Sequence, residues 1–315
     1  MTTERPVILK LEGGLGNQLF QFSAGFYLAA KLRRDLVIDQ YSIPLSTHHG
    51  ERRLGFAEFV WPQLPAEKSI RVLAWTPGPG ATRIAKSSEP FKRVLIKSRM
   101  YTSNPHSLPL FSETNDIADF LSLSESKKLH GNFQSWKIVE AAACVGFPRS
   151  LELRNQSDWV VEHLEKHDLK DSIAVHFRVG ADALGNRSCS QPTIHYYRAA
   201  LEVLGATSQM SKVFVFSDDL ALARERFGEI LGSSCHFVHQ PISAPPAEKI
   251  FHLSKFKNII CANSTFCGWA GWAIGNAGGN VVVPVPYSDT SALASRDFPS
   301  QWIKLSKTTG HLVSE

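Results

Sequence analysis

Four short stretches hold side chains able to grip a phosphorylated ligand: Gly13-Gly14-Leu15-Gly16-Asn17-Gln18, His176-Phe177-Arg178, Ser217-Asp218-Asp219 and Asn263-Ser264-Thr265-Phe266. In the first, glycines without a Cβ let backbone approach a ligand, and the helix that follows offers N–H groups to an anion. A tight turn with Asn17 as helix N-cap explains the same residues. The stretch mimics a dinucleotide-binding turn, with Asp39 in the place of the ribose-gripping acid, but Leu19 stands where the third glycine belongs. A phosphate-binding G-K-[ST] loop is absent. In the second stretch, Arg178 can make a bidentate bond to phosphate and offset charge on a leaving group. The structural alternative is an ion pair with Asp182. His176 is either a satisfied buried histidine or a neutral hydrogen-bonding group for a base or ribose. Asp218 and Asp219 suit a helix cap with an acidic first turn, or a carboxylate accepting from the two donors on guanine's edge. They lack the D-x-D spacing that holds a divalent ion, so no metal is expected. Ser264 and Thr265 open a helix, where hydroxyls and first-turn N–H groups cap the helix or bind phosphate.

The elements that must position these residues read as alternating strands and helices. Val7–Leu11, the glycine turn, a helix from Asn17 to about Leu32 and the strand Leu36–Asp39 form a βαβ-type unit. In that helix Leu19, Phe20, Ala24, Tyr27 and Leu28 recur at three-to-four spacing, one buried stripe. Residues 41–125, rich in Pro and holding Trp61 and Trp75, read as irregular insertions that shape an acceptor pocket. Gly146-Phe147-Pro148 reads as a hinge. Beyond it the strands Ser172–Arg178, Lys212–Ser217, Cys235–Val238, Asn258–Ala262 and Asn280–Pro284 alternate with helices, the pattern of a parallel sheet with right-handed crossovers. In such a sheet strand ends on one edge line a common crevice, which brings the last three stretches together. Trp269 and Trp272, three apart, read as core. The expected architecture is α/β with two Rossmann-like domains: residues 1–148, acceptor-binding, and 149–315, nucleotide-sugar-binding.

The 315 residues carry a net charge of +5, with 43% hydrophobic and 20% charged residues. The charge suits an anionic substrate but is spread out. The cluster Lys92-Arg93…Lys97…Arg99 reads as a solvated helix face, so no nucleic-acid partner is expected. Cys144, Cys189, Cys235, Cys261 and Cys267 form no C-x-x-C pair and point to a reducing compartment. Without a signal-peptide core or an apolar run of membrane-spanning length, the expectation is a cytoplasmic protein, with peripheral attachment to a membrane surface left open.

Taken in order over residues 7–285, the chain resembles the α-1,2-fucosyltransferases of the GT-B-type, GDP-fucose-dependent fucosyltransferase superfamily. The stretches that carry the resemblance are Gly13-Gly14-Leu15-Gly16-Asn17-Gln18-Leu19-Phe20-Gln21, Gly131-Asn132-Phe133-Gln134-Ser135, His176-Phe177-Arg178, Tyr196-Tyr197-Arg198-Ala199-Ala200-Leu201, Phe216-Ser217-Asp218-Asp219 and Ala262-Asn263-Ser264-Thr265-Phe266. The resemblance implies a GT-B-like fold with two parallel sheets facing across a cleft. It also implies GDP-β-L-fucose as donor, a glycan hydroxyl as acceptor and metal-independent inversion. It places Asn17 near the fucose and β-phosphate, with Gly14 and Gly16 on the donor. Arg178 falls on the diphosphate, His176 and one of Asp218 and Asp219 on the guanosine, and Asn263, Ser264 and Thr265 around the phosphates.

Two departures stand out. Val179 replaces the second arginine of the family's H-x-R-R-x-D, so the acid falls one place late at Asp182, and Cys267-Gly268-Trp269 replaces an aromatic pair. Both bear on donor affinity and donor sugar, and Arg187 in the following loop is the candidate for the missing charge. Asp182, His48 and His49 are the candidate bases, because their loops follow strand ends. The readings set against the transferase are an NAD-dependent oxidoreductase and a non-catalytic sugar-nucleotide binder.

Overall fold

A computed structural model describes residues 5–39, 55–73, 129–180, 190–205, 212–231, 235–287, 289 and 298–313. In chain order the elements are β1 (Val7–Lys10), α1 (Leu15–Leu32), β2 (Leu36–Asp39), a 3-10 turn (Gly55–Glu58), β3 (Ile70–Leu73), α2 (Trp136–Ala143), α3 (Asp158–Lys166), β4 (Ser172–Phe177), α4 (Ile194–Val203), β5 (Lys212–Ser217), α5 (Leu220–Leu231), β6 (His236–Phe237), α6 (Pro246–Leu253), β7 (Asn258–Ile260), α7 (Thr265–Asn276), β8 (Val281–Val285) and β9 (Ile303–Ser306). The chain divides into two compact units. The first is Met1–Leu54, Pro62–Gln134 and Ile138–Phe147; the second is Gly55–Trp61, Ser135–Lys137 and Pro148–Glu315.

In the first unit β1, β2 and β3 pair in parallel, and Leu9 on the free side of β1 forms a parallel bridge with Leu129. β1 therefore lies between β2 and the Leu129 segment. Helix α1 packs on this sheet so tightly that a Cβ on Gly25 would sit 2.9 Å from the Leu9 side chain. Phe22 and Phe26 close the helix against Phe147 in edge-on contacts.

The second unit holds a six-stranded sheet in the order β6-β5-β4-β7-β8-β9, every pair parallel. In chain order that is 3-2-1-4-5-6, the doubly wound arrangement. β4 and β5 are apolar runs because both faces are covered. Ile173, Val175, Phe177, Val213 and Val215 face one layer, where Phe177, Tyr197 and Phe227 stack with centroids 4.3–5.0 Å apart. Phe214 and Phe216, one residue out of phase, face the other. Helix α7 is buried nearly all round. Gly271 lets it approach β8, since a Cβ there would meet Val281 at 2.8 Å. Trp136, Trp269, Trp272 and Trp302 cluster at centroid distances of 4.9–5.8 Å, which makes Trp269 and Trp272 core.

A histidine cluster sits against Phe214 and Phe216. His252 Nε2 lies 2.9 Å from His163 Nδ1, and the His163 ring is 4.7 Å from that of His167, which neighbours His236. One nitrogen of the close pair must donate and the other accept, so the two rings are not both protonated. Burial, reinforced by the neighbouring histidines, holds His252 at about 3 and His163 at about 4. Unfolded histidines titrate near 6.5. The folded values lie below that, so the unfolded chain takes up protons first as pH falls. The stability is complete above about pH 6.5 and is lost progressively toward pH 4. Urea midpoints should fall across that window, with His252 contributing a slope of up to about 1.4 kcal/mol per pH unit. An unchanged slope in His252→Asn would contradict this.

Candidate functional site

The carboxyl edge of the second sheet gathers most of the residues singled out by sequence. Phe177 pairs with Ser217 and Val175 with Ile260, so Arg178, Asp218 and the Asn263–Thr265 turn all leave adjacent strands at one edge. The point where strand order reverses lies between β4 and β7, and open α/β sheets bind ligands there.

Arg178 is half-buried, and its guanidinium makes no ion pair or hydrogen bond with a described residue. Asp182, the partner proposed for it, lies outside the described residues, as do Arg187, His48 and His49. His176, one residue before Phe177, faces the opposite side of the sheet and lies 6.0 Å from the Phe266 ring in near-parallel orientation. Its Nδ1 is buried with no nitrogen or oxygen partner among the described residues, and its ring interacts with the Cys267 thiol. Val179, where the pattern has a second arginine, is 4% exposed in the apolar layer.

The two aspartates divide their work. Asp218 accepts from the N–H groups of Val179 (2.8 Å) and Gly180 (3.1 Å), fixing the path of the chain just after Arg178. Gly180 is required there, since a Cβ would sit 2.8 Å from Asp218 Oδ2. Asp219 accepts from the Leu222 N–H and caps α5. Both carboxylates therefore serve backbone amides, and neither is free of protein contacts.

At β7 the turn into α7 is equally determined. Ser264 is the N-cap, its Oγ accepting from the Phe266 N–H at 3.2 Å, and Thr265 is the first helical residue. Asn263 is fully buried, and its Nδ2 donates to Ser190 O (2.9 Å) and Tyr287 O (2.6 Å). It thus ties Ser190 to Tyr287, after β8. Its Oδ1 has no partner. Asp289 takes the Ser190 N–H and hydroxyl and an ammonium bond from the buried Lys307. These contacts hold its carboxyl below the usual range, Lys307 first and the Ser190 N–H next.

Tyr196 and Tyr197 have a role that sequence reading did not assign. Tyr196 OH donates to Cys261 O (2.7 Å) and Val282 O (3.2 Å), and Tyr197 OH donates to His176 O (3.3 Å). Burial raises both phenols well above their ordinary value, so they remain donors. From α4 they hold the ends of β4, β7 and β8. The signal was two adjacent tyrosines at the start of a helix whose apolar stripe needs no hydroxyl.

In the first unit, Gly14 rather than Asn17 caps α1, with no side-chain cap bond. Asn17 lies inside the first turn, and its Oδ1 accepts from Gln134 Nε2 at 2.8 Å. Gly13 has φ +79, and a Cβ there would meet Asn17 Nδ2 at 2.9 Å. Gly14 has nothing within 4 Å of a built Cβ, while Gly16 is buried. Gly14, Gly16 and Asn17 thus stand together at the carboxyl edge of β1, in a unit separate from the other site residues. Leu19 is core, 4% exposed.

Residues 153–306 match the sequence model of glycosyl transferase family 11. The matched segment contains β4 to β9 and the site residues His176, Arg178, Asp218, Asp219 and Asn263–Thr265. Over nearly its whole length the chain is also similar to an alpha-1,2-colitosyltransferase of Escherichia coli, at 22% identity over 96% of this chain and 99% of the relative. A second relative is the O-antigen biosynthesis glycosyltransferase WbnK of Escherichia coli, 26% identical over 83% of this chain and 88% of its own. Among solved structures, the fucosyltransferase NodZ from Bradyrhizobium matches with a TM-score of 0.48 at 16% identity, over 86% of this chain and 93% of that one. Among the described residues, no helix is long and apolar enough to cross a membrane.

Proposed function

We propose that the protein moves L-fucose from GDP-β-L-fucose to a glycan hydroxyl, with inversion, forming an α-1,2 linkage without a metal ion. The observation that carries the reading is the pair of adjacent strand ends at the switch point of the second sheet. Arg178 leaves β4 with no described partner, and β7 leads into the N-terminus of α7. A guanidinium fork and a helix N-terminus suit a diphosphate. As the bond from the anomeric carbon to the phosphate oxygen breaks, its electron pair passes to GDP. Arg178 and the α7 terminus meet that charge, and Ser264 and Thr265 line the same terminus. The acceptor oxygen bonds to the anomeric carbon from the opposite face. His176, whose buried Nδ1 has no nitrogen or oxygen partner among the described residues, is the guanosine contact, and Asp219 is better placed than Asp218 to read the base, because both Asp218 oxygens already accept amides. Metal independence is supported by that same commitment of Asp218 and Asp219 to amide donors. Gly14, Gly16 and Asn17 bear on the sugar and β-phosphate.

The E. coli colitosyltransferase relative makes GDP-colitose the competing donor, and Val179 marks where this chain departs from the fucosyltransferase pattern. The test is the product formed from GDP-β-L-fucose and a β-galactoside in the presence of EDTA, read by NMR. An α-linked fucose at the galactose 2-position is expected. A β-linkage, or no product until a divalent ion is added, would overturn the mechanism. Exclusive use of GDP-colitose in direct competition would overturn the donor.

A further inference from the structure

Cys267 stands where the sequence departs from the fucosyltransferase pattern, and it has no role in the chemistry described so far. Every group that bears on it lies in the second unit. Cys267 sits in the first turn of α7 and is fully buried. Its thiol donates to Ala262 O at 3.3 Å or to Ser264 O at 3.4 Å, so two carbonyls hold its single proton. The Cys261 thiol donates to Cys267 O at 3.6 Å. The Cys267 sulfur keeps its lone pairs, and a thiol sulfur is a weak acceptor.

His176 reaches the same sulfur from β4. Val175 pairs with Ile260, and both belong to the apolar layer that holds Tyr197 and Phe227. The next residues along each strand, His176 and Cys261, therefore face the opposite layer. That layer is the one α7 occupies, since a Cβ on Gly271 of this helix would lie 3.6 Å from Cys261 Sγ. The His176 ring lies near-parallel to Phe266, the residue before Cys267, and interacts with the Cys267 thiol. His176 is half-buried and its Nδ1 is fully enclosed, so Nδ1 turns inward and Nε2 lies on the open edge of the ring.

We propose that Cys267 is a positioning residue for the nucleotide: its sulfur accepts from His176 Nδ1–H, which fixes the tautomer whose Nε2 presents a lone pair to the guanosine. This rests on the reading of His176 as the guanosine contact. Which imidazole nitrogen carries the proton is set by the bond the other one makes. With the thiol proton held by carbonyls, the sulfur offers lone pairs alone, and Nδ1–H is the tautomer that complements them. In the other tautomer two lone pairs would face each other at a buried position, leaving Nδ1 without a donor. The fixed Nε2 lone pair then requires a donor from the ligand. A nucleoside supplies such donors as ribose hydroxyls and base N–H groups. Cys267 touches no ligand in this scheme; it acts through the imidazole.

Proton–nitrogen correlation spectra of isotopically labelled protein identify the protonated nitrogen of His176. The Nδ1–H form is expected in the wild type and in Cys267→Ser, whose hydroxyl can still donate to a carbonyl and accept from Nδ1. In Cys267→Ala the Nε2–H form, the one a free imidazole favours, should take over. GDP affinity measured by calorimetry should follow. Cys267→Ala should bind about 3–10-fold more weakly, the size of one hydrogen bond, and Cys267→Ser should stay within about twofold of the wild type. In a His176→Ala background Cys267→Ala should cost nothing further, because its effect runs through the missing ring. The same loss in both backgrounds would show a merely structural role and overturn the proposal. So would the Nε2–H form in the wild type, a result that stands even where the alanine variant fails to fold. A wild type that shows Nδ1–H yet does not bind GDP would locate the failure in the donor reading, and the nucleotide role of Cys267 would fall with it.

Discussion

Arg178→Ala should lower transfer by about 10²–10³-fold, the typical cost of losing one preorganised group that meets developing charge. The fold should be unaffected, because the guanidinium makes no ion pair or hydrogen bond with a described residue and so leaves none of them orphaned. The loss should fall on kcat as well as on donor affinity, since the charge on the leaving diphosphate is greatest in the transition state. Arg178→Lys separates charge from geometry. The ammonium restores the charge without the planar fork, so it should recover part of the rate and not all of it. Steady-state kinetics with GDP-β-L-fucose, alongside melting curves of both variants, check this. Near-normal turnover in Arg178→Ala would remove the diphosphate from this strand end.

Asn263→Ala should be the most destabilising change at the site. The Asn263 amide is the donor to Ser190 O and Tyr287 O, and it is fully buried. Its removal leaves the Tyr287 carbonyl with one partner fewer in a buried site, at about 1–3 kcal/mol, while the carbonyl of the exposed Ser190 can turn to water. Against a domain stability of about 5–15 kcal/mol that is a large share. Asn263→Asp should be at least as damaging, because a carboxylate cannot donate to either carbonyl. Urea denaturation of the two variants measures the effect. A loss below about 1 kcal/mol would show that the clamp is dispensable. Because Asn263 opens the turn into α7 at the strand next to β4, GDP affinity should fall with stability in both variants.

Much of the fold was legible because the signals are local. β4 and β5 have apolar centres, Ile173–Val175 and Val213–Phe216, as a strand covered on both faces requires, and the glycine turn before α1 announces itself by composition. The N-cap at Ser264 and the cap at Asp219 follow from short polar side chains ahead of helices. β9 escaped notice because Ile-Lys-Leu-Ser is short, half-exposed and lacks an apolar run. Strand order is not written in any one segment, so the switch point between β4 and β7 had to be seen.

The same limit governs the site. Asp218 was read as a ligand carboxylate or a local cap, yet its partners, Val179 and Gly180, lie 39 and 38 residues away. Asn263 reaches 73 residues back to Ser190. No spacing rule connects such pairs; only the sheet brings them together. Val179 shows the converse case. A departure that reads as a missing charge is, in the fold, a well-packed core residue.

The account depends above all on one strand edge recognising a guanosine diphosphate. Thermal unfolding of the wild type and of Arg178→Ala with GDP, UDP, ADP and NAD, each at saturating concentration, tests it most directly. The prediction is a clear upward shift with GDP alone, and its loss or marked reduction in Arg178→Ala. Equal stabilisation by all four compounds, stabilisation by NAD rather than GDP, or a GDP shift that persists unchanged in the variant would contradict it.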